Sequence, residues 1–415
     1  MLDIQFIRDN QDLVARSSEQ KNVKVNLAEL LELDTERRTR LTQLDELRAR
    51  RNALAAETKG AKPTDDQIAA GKQLKDDISQ READLATIEE KYNDIMQTVP
   101  NVIPDDTPEG GEEANRPEKH WGEPRKDEVQ DHLAWGEAHD MIDFERGAKV
   151  AGAKFYYLKG DLVQLELAVF QFGLQLAARY GFTPITVPHM VNTRTASGTG
   201  FLPRGEERQI YKIEGEDLNL IATAEIPITG YHADELLNET DLPLLYVGLS
   251  PAYRMEAGAY GKHSKGLYRV HQFNKLEMYV FCKPEDSMQW HEKLMQLEEE
   301  LCQALEIPYQ VVRIAAGDLG APAYKKYDIE YWSPVDQSYR ELMSCSNVTD
   351  YQARRLNIRY KDANSKNTLV HTLNGTAAAF SRVAIALIEN HQNQDGQVAV
   401  PKALQPYMGG KTVIG

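Results

Sequence analysis

An α+β protein with an N-terminal antiparallel coiled-coil hairpin is the fold class this sequence predicts, and three observations predict it. From Leu27 to Val99 the chain holds only two glycines and one proline, with helical apolar stripes on both sides of a single break. Beyond residue 124, short apolar runs replace the stripes, several alternating and none separated by a helix of βαβ size. Between these regions lies a stretch rich in proline and glycine. With 415 residues, 41% of them apolar, the chain is long enough for two or three domains and a sizeable core.

The hairpin comes first. In its second helix Leu74, Ile78, Arg81, Leu85, Ile88, Tyr92, Ile95 and Val99 recur at alternating steps of four and three, a coiled-coil seam with one polar place, Arg81. The first helix is rougher, with Leu27, Leu30, Leu31, Leu41, Leu44, Leu47 and Leu54 on the stripe. The break from Lys59 to Asp65, with Gly60 and Pro63, reads as the turn. Helices of this length, on the order of 48 Å at ~1.5 Å per residue, are too long for an internal core pair and should project. Residues 1–103 are therefore expected to form a helical arm, with the coiled coil at about 27–99. Residues 104–124, with Pro104, Pro108, Gly110, Gly111 and Pro117, are expected to be a linker, and 125–415 a second domain.

In that domain Asp161 to Tyr180 reads as a helix with Asp161 as a plausible cap. Strand candidates follow at Phe182–Val187, Leu218–Ile221, Leu244–Leu249, Lys275–Phe281, Tyr309–Ile314, Tyr327–Trp332 and Val370–Leu373. A last helix is expected from Ala377 to Gln392.

Composition excludes several classes of function. Lys and Arg number 48 against 64 Asp and Glu, a formal charge of −16, so a global field that coats nucleic acid is not expected. Three cysteines, Cys282, Cys302 and Cys345, have no C-x-x-C spacing, and the histidines show no H-x-x-x-H; neither a disulfide framework nor zinc is expected. The start, Met1 to Gln5, shows no secretory leader, and the densest apolar stretch, Leu167 to Ala178, is too short for a bilayer. The expected setting is the reducing cytoplasm, without a membrane.

The charge is uneven, however. Arg37, Arg38, Arg40, Arg48, Arg50, Arg51, Lys59 and Lys62 face only three acids between residues 37 and 62, a local balance of +5, whereas residues 65–97 balance at −5. This pattern fits an ordinary solvated coiled-coil face, and it fits a basic strip that meets nucleic-acid phosphates; charge alone leaves both open.

Chemistry centres on a second cluster. The common phosphate loops are absent: no G-x-G-x-x-G follows a strand, and in Gly258 to Ser264 the glycines are too close for a P-loop, with His263 between Lys262 and Ser264. Arg254 and Glu256 follow one strand candidate, and Arg269, Phe273, Lys275 and Glu277 open the next. Alternation places Arg254 with Glu256 on one face, and Phe273, Lys275 and Glu277 on one face of the partner. Such a set could bind a phosphate, a base and an amine; cross-strand salt bridges are the plainer alternative. Cys345 reads as a buried thiol and His271 as a packed strand residue.

The stretch Pro251-Ala252-Tyr253-Arg254-Met255-Glu256-Ala257-Gly258, followed by Gly266 to Glu277, closely resembles motif 2 of seryl-tRNA synthetases. Thr223-Ala224-Glu225 resembles that family's serine segment, Glu341 to Asn347 its ATP and magnesium segment, His371 to Arg382 its motif 3, and Tyr180 to Pro188 its motif 1. The resemblance implies a class II antiparallel sheet flanked by helices, in a homodimer formed through motif 1. It implies a ligase that activates L-serine with ATP and loads tRNA(Ser), with tRNA(Sec) as a second acceptor to be tested. Arg254 would hold the α-phosphate and the serine carboxylate; Arg269 and Arg382 the outer phosphates; Phe273 and the Arg382 plane the adenine. Met255, Glu256, Leu342 and Met343 would line the ATP site, and Glu341 and Ser344 would ligate Mg²⁺. Thr223, Ala224, Glu225, Glu277 and Thr376 would complete the serine pocket, and the eight basic residues of the first helix would meet tRNA. In motif 3, Ala377 and Ser381 stand where the family often has glycine, at a place expected to be the helix start beneath the nucleotide. Lys262 and Lys265 stand where arginine is frequent. Two rivals are a ligase that loads a serine or glycine onto a carrier protein and an inactive RNA-binding paralogue.

Overall fold

Helix signals placed by the sequence at the chain's start organise a unit of their own. The computed structural model describes residues 1–60, 62–201, 210–256 and 265–415. It divides into Met1–Val102 and Ile103–Gly415, one residue from the expected boundary.

In the first unit, α1 (Ile4–Asp9) and α2 (Gln11–Gln20) precede α3 (Leu27–Glu57) and α4 (Asp65–Thr98). Asn26 caps α3 by accepting from the Glu29 amide, and Thr64 and Gln67 form a reciprocal capping box on α4. These caps satisfy end amides that a coiled coil leaves orphaned and so fix where the turn falls. The two helices run about 46 and 51 Å at ~1.5 Å per residue. Ile78, Leu85, Ile88, Tyr92 and Val99 of the predicted seam are buried, and the polar seam residue Arg81 donates to Gln43 Oε1 at 3.4 Å. Leu2, Ile7 and Val14 of the first helices brace one end of the hairpin against Leu30, Tyr92 and Met96.

The second unit is built on an eight-stranded sheet. Its strands in chain order are β1 (Arg116–Trp121), β2 (Thr183–Ile185), β3 (Leu244–Tyr253), β4 (Gln272–Cys282), β5 (Tyr309–Arg313), β6 (Lys325–Ser333), β7 (Ser338–Thr349) and β8 (His371–Ala379). Across the sheet they run β1-β5-β6-β7-β8-β4-β3-β2. Every pairing is antiparallel except β2 with β3. Helices α5 (Asp161–Arg179), α6 (Ser287–Ala304) and α7 (Phe380–Asn390) share the main core with one face, through residues such as Leu165, Leu297 and Val383. The opposite face carries a smaller cluster that includes Ile226, Tyr279 and Phe281.

Three differences from expectation have physical reasons. Residues 104–124 are not merely a linker, because Arg116–Trp121 pairs with Tyr309–Arg313 as the sheet's edge strand. Its six side chains are all exposed, so it carries no burial pattern, and Pro117 is tolerated at an edge, where the register also slips. The twelve-residue strand β7 is absent from the strand candidates because its sequence, SYRELMSCSNVT, mixes polar and apolar residues without a clean period. Finally, Ala377–Ala379 continues β8, and the last helix begins only at Phe380. Ala377 sits at a register shift and is buried in the main core, so it does not lie at a helix start beneath a nucleotide.

Candidate active site

Strand alternation decides which side chains of β4 do chemistry. Leu276, Met278, Val280 and Cys282 enter the main core, so Phe273, Lys275 and Glu277 turn to the other face, in line with Tyr279 and Phe281 of the smaller cluster. On that face opens a cavity of about 240 Å³. Arg254, Glu256, Phe273, Glu341, Leu342, Met343, Ser344, Thr376 and Arg382, all expected site residues, line it. Tyr268, Val270, Lys275, Lys326, Ala379 and Ser381 complete the wall.

One end of the cavity is a set of paired charges. The Arg382 Nη1 lies 3.0 Å from Glu341 Oε1, and the guanidinium sits 4.9 Å over the Tyr268 ring. Arg269 Nη1 lies 3.0 Å from Glu256 Oε2, and Arg254 sits 5.3 Å from the Phe273 ring centre while its Nε donates to the Ala222 carbonyl. Burial opposes charge on Glu341, but Arg382, Lys326 and Arg254 outweigh it and hold that carboxyl down, to about 2. Burial, with Arg382 beside it, lowers the Arg254 guanidinium from its ordinary value. This end is thus arginine-rich, flanked by aromatic rings, and keeps an ionised carboxylate: the makings of a polyphosphate and base site.

The other end is buried and closer to neutral. Lys275 Nζ lies 2.5 Å from Glu277 Oε2 and donates to Thr223 Oγ1 at 3.4 Å. Thr223 and Glu277 are 1% exposed and reach the cavity through Lys275. Glu225 accepts at Oε1 from Gln352 Nε2 at 2.7 Å and from Asn374 Nδ2 at 3.0 Å. Burial, with the charge of Glu277, pushes the Glu225 carboxyl up to about 7. Burial also raises Glu277, and the Lys275 ammonium pulls against it.

Two expected residues fall outside this geometry. The Met255 side chain is exposed, and Ala224 is fully buried in the smaller cluster. Motif 2 loop residues 257–264, Lys262 among them, lie outside the described residues; Lys265 lies 3.2 Å from Asp131 Oδ2. His271 bonds the Arg254 carbonyl through Nδ1 at 2.9 Å and packs on Phe155, a structural part. Gly375 is a packing requirement: a Cβ there would meet Glu298 Oε1 at 3.1 Å and Met278 at 3.2 Å. Sequence reasoning gave no role to Tyr268, Gln352, Asn374 or Lys326, and it placed Lys275 on the site's face without a role of its own. The available signal was a polar residue placed inside an otherwise buried strand or helix.

The arm's eight basic residues split into two groups. Arg37 and Arg38 lie 3.5 and 3.4 Å from Asp34, a fully buried carboxylate that also faces Arg8 at 3.3 Å. Arg40 pairs with Glu36, and Arg48 with Glu82 at 2.8 Å. Toward the turn, Arg50, Arg51, Lys59 and Lys62 are exposed and make no ion pair among the described residues.

Comparison with known proteins finds relatives along the whole chain. Residues 1–103 match the seryl-tRNA synthetase N-terminal domain, and 210–391 match the class II tRNA synthetase core domain for G, H, P, S and T. A serine–tRNA ligase of Rubrobacter xylanophilus is 46% identical over 100% of this chain and 99% of its own. The crystal structure of a seryl-tRNA synthetase from Pyrococcus horikoshii, complexed with ATP, is 41% identical and covers 100% of this chain and 99% of its own, with a TM-score of 0.90. A cytoplasmic serine–tRNA ligase from Naegleria fowleri with AMP is 31% identical, covering 100% and 98%, with a TM-score of 0.86.

Proposed function

The chain belongs to the seryl-tRNA synthetase family, and from that premise we propose how its cavity and arm share the work of a serine–tRNA ligase. The enzyme activates L-serine with ATP and transfers the seryl group to tRNA. In the first step a serine carboxylate oxygen attacks the α-phosphorus and the bond to pyrophosphate breaks. The products are seryl-adenylate and pyrophosphate. In the second, a 3′-ribose hydroxyl of tRNA(Ser) takes the seryl group and AMP leaves.

Neither step requires a protein nucleophile; both require oriented charge. The observation that carries this reading is the convergence of Arg254 and Arg382 with the Phe273 and Tyr268 rings on one cavity wall. In this reading Arg254 would hold the α-phosphate and serine carboxylate, Arg382 and Arg269 the outer phosphates, and Phe273 the adenine. Glu225, Glu277, Thr223 and Thr376 form the serine end. A site built to bond a hydroxyl rejects alanine because its own polar groups would be left unpaired.

The donor set suits Mg²⁺: Glu341 is a carboxylate kept ionised, Ser344 adds a hydroxyl on the same wall, and both are oxygen ligands. When bound, the ion would offset phosphate charge. Among the described residues no group of three or more His, Cys, Asp or Glu is arranged to hold a metal.

A homodimer is supported by exposed apolar residues: Val163 of α5 shares a cavity wall with Val150 and Tyr157, and Leu167 is exposed one helical turn further along α5. Arg50, Arg51, Lys59 and Lys62, exposed and without an ion pair among the described residues, support contact with the backbone of tRNA. Among the described residues no helix is long and apolar enough to cross a membrane, and the three cysteines are free and buried; cytoplasm is the compartment we propose.

Serine-dependent ATP–pyrophosphate exchange followed by transfer to tRNA(Ser) tests the whole. Exchange without transfer would favour the carrier-protein ligase, and no exchange with any amino acid would leave an inactive RNA-binding paralogue.

A further inference from the structure

Gln352 lies in a short helix, Tyr351–Leu356, just after β7, and is fully buried. Its amide uses every bond it can make. Nε2 donates to the Thr199 carbonyl at 3.1 Å and to Glu225 Oε1 at 2.7 Å. Oε1 accepts from the Tyr279 hydroxyl at 2.7 Å and the Thr372 hydroxyl at 2.9 Å. This orientation is dictated by chemistry. A backbone carbonyl can only accept, so the NH₂ group must face Thr199; a flipped amide would set two acceptor oxygens against each other. The two hydroxyls, which can donate, then serve the amide oxygen.

Glu225 is held accordingly. Its Oε1 takes two donated bonds, from Gln352 and Asn374, and Oε2 has no partner among the described residues. The Thr229 hydroxyl donates to the Glu225 backbone carbonyl at 2.7 Å, which secures the main chain beneath it.

We propose that Gln352 is a positioning residue of the amino-acid pocket: an amide clamp that locks one oxygen of Glu225 and leaves the other for the substrate ammonium. The proposal rests on the reading of Glu225 as that ammonium's partner. It makes a second demand. The titratable groups facing Glu225 are Glu277, Lys275 and the Tyr279 phenol from β4 and Arg254 beyond β3, and burial together with Glu277 favours the neutral acid. The bond from Gln352 is the leading force in the other direction, ahead of Lys275 and Arg254. Without the clamp Glu225 should hold its proton to higher pH and bind an ammonium less well.

The test is serine-dependent exchange by the full-length protein. Gln352→Met keeps length and volume and removes all four bonds. The expected result at pH 7 is a rise of about tenfold or more in KM for serine, with KM for ATP changed less than about twofold. The acidic limb of kcat/KM for serine should move to higher pH, so that the deficit narrows near pH 8.5. In a Glu225→Gln background, Gln352→Met should raise KM for serine no further. The paired variant Thr372→Val with Tyr279→Phe removes only the donors that orient the amide and should give a smaller rise, again for serine alone; it decides the matter if Gln352→Met does not fold. Equal rises in both KM values, or additivity with Glu225→Gln, would overturn the clamp. A wild type without serine-dependent exchange would overturn the pocket reading and the clamp together, whereas normal wild-type exchange with a serine-neutral Gln352→Met overturns the clamp alone.

Discussion

Arg382 and Arg51 carry the same guanidinium in opposite settings. Arg382 lines the cavity, bonded to Glu341 and lying over the Tyr268 ring, while Arg51 stands in solvent with no ion pair among the described residues. In the cavity, charge is fixed in advance in surroundings that screen it poorly, so each group can act strongly on one developing charge. On the arm, charge is screened within roughly 10 Å at ordinary salt, and binding grows by counterion release, one phosphate at a time. The arm also shows that position along one helix decides use: Arg37 and Arg38 are tied to the buried Asp34, and Arg50 and Arg51 are not.

The sharpest way to break this contrast is to separate the regions. Removing Met1–Val102 should abolish serylation of tRNA while exchange stays within several-fold of wild type, as independent compact units allow. Equal loss of both activities would show that the arm is needed for activation. Next comes Arg254→Ala, which should lower exchange by about 10³-fold, as loss of one preorganised donor does, with the fold intact by circular dichroism. Near-normal exchange would discredit its place at the α-phosphate. Replacing Arg50, Arg51, Lys59 and Lys62 together by alanine should raise KM for tRNA by roughly 10–100-fold and flatten the salt dependence, leaving exchange alone. Replacing Arg37 and Arg38 should instead act mainly on stability. Asp34→Asn, which leaves three arginines around a neutral amide, should cost about 3 kcal/mol in denaturant unfolding of the first unit. A tip variant that binds tRNA normally would return the basic strip to an ordinary solvated face.

The two regions were also unequally legible. The hairpin could be read from period alone, because a seam repeated from Leu74 to Val99 admits few other structures. Even so, Asp34 could not be recognised as buried, since its partner Arg8 lies 26 residues away on another helix. In the catalytic unit, alternation put Phe273, Lys275 and Glu277 on one face, but period could not choose between a substrate site and a salt-bridged sheet; motif resemblance did. What neither route reached is tertiary in origin. Tyr268 gains its role from Arg382, 114 residues on, and Gln352 from Glu225, 127 residues back. β7 escaped notice because its pairing with β6 slips at Leu342, so that the adjacent Leu342 and Met343 both enter the main core, which breaks the alternation that marks an ordinary half-buried strand.

The smallest expected effect comes from pH, and it separates the cavity's two ends. Glu225 is raised to about 7 by burial and Glu277, whereas Glu341 is held near 2 by its cations despite burial. As pH falls through 7, Glu225 therefore takes up a proton while Glu341 stays ionised. On the proposed reading the serine ammonium needs the ionised form of Glu225. It follows that kcat/KM for serine should fall below pH 7, by up to about tenfold per unit, because this quantity reports the free enzyme. With saturating serine the ammonium pulls Glu225 into its charged form, so kcat/KM for ATP should stay nearly flat down to about pH 6. For the same reason serine binding at pH 6 should release close to one proton, a quantity read from titration calorimetry in buffers of different ionisation enthalpy. A serine profile as flat as that for ATP, with no proton released, would mean that the two ends of the cavity are held alike and that Glu225 is not the ammonium's partner.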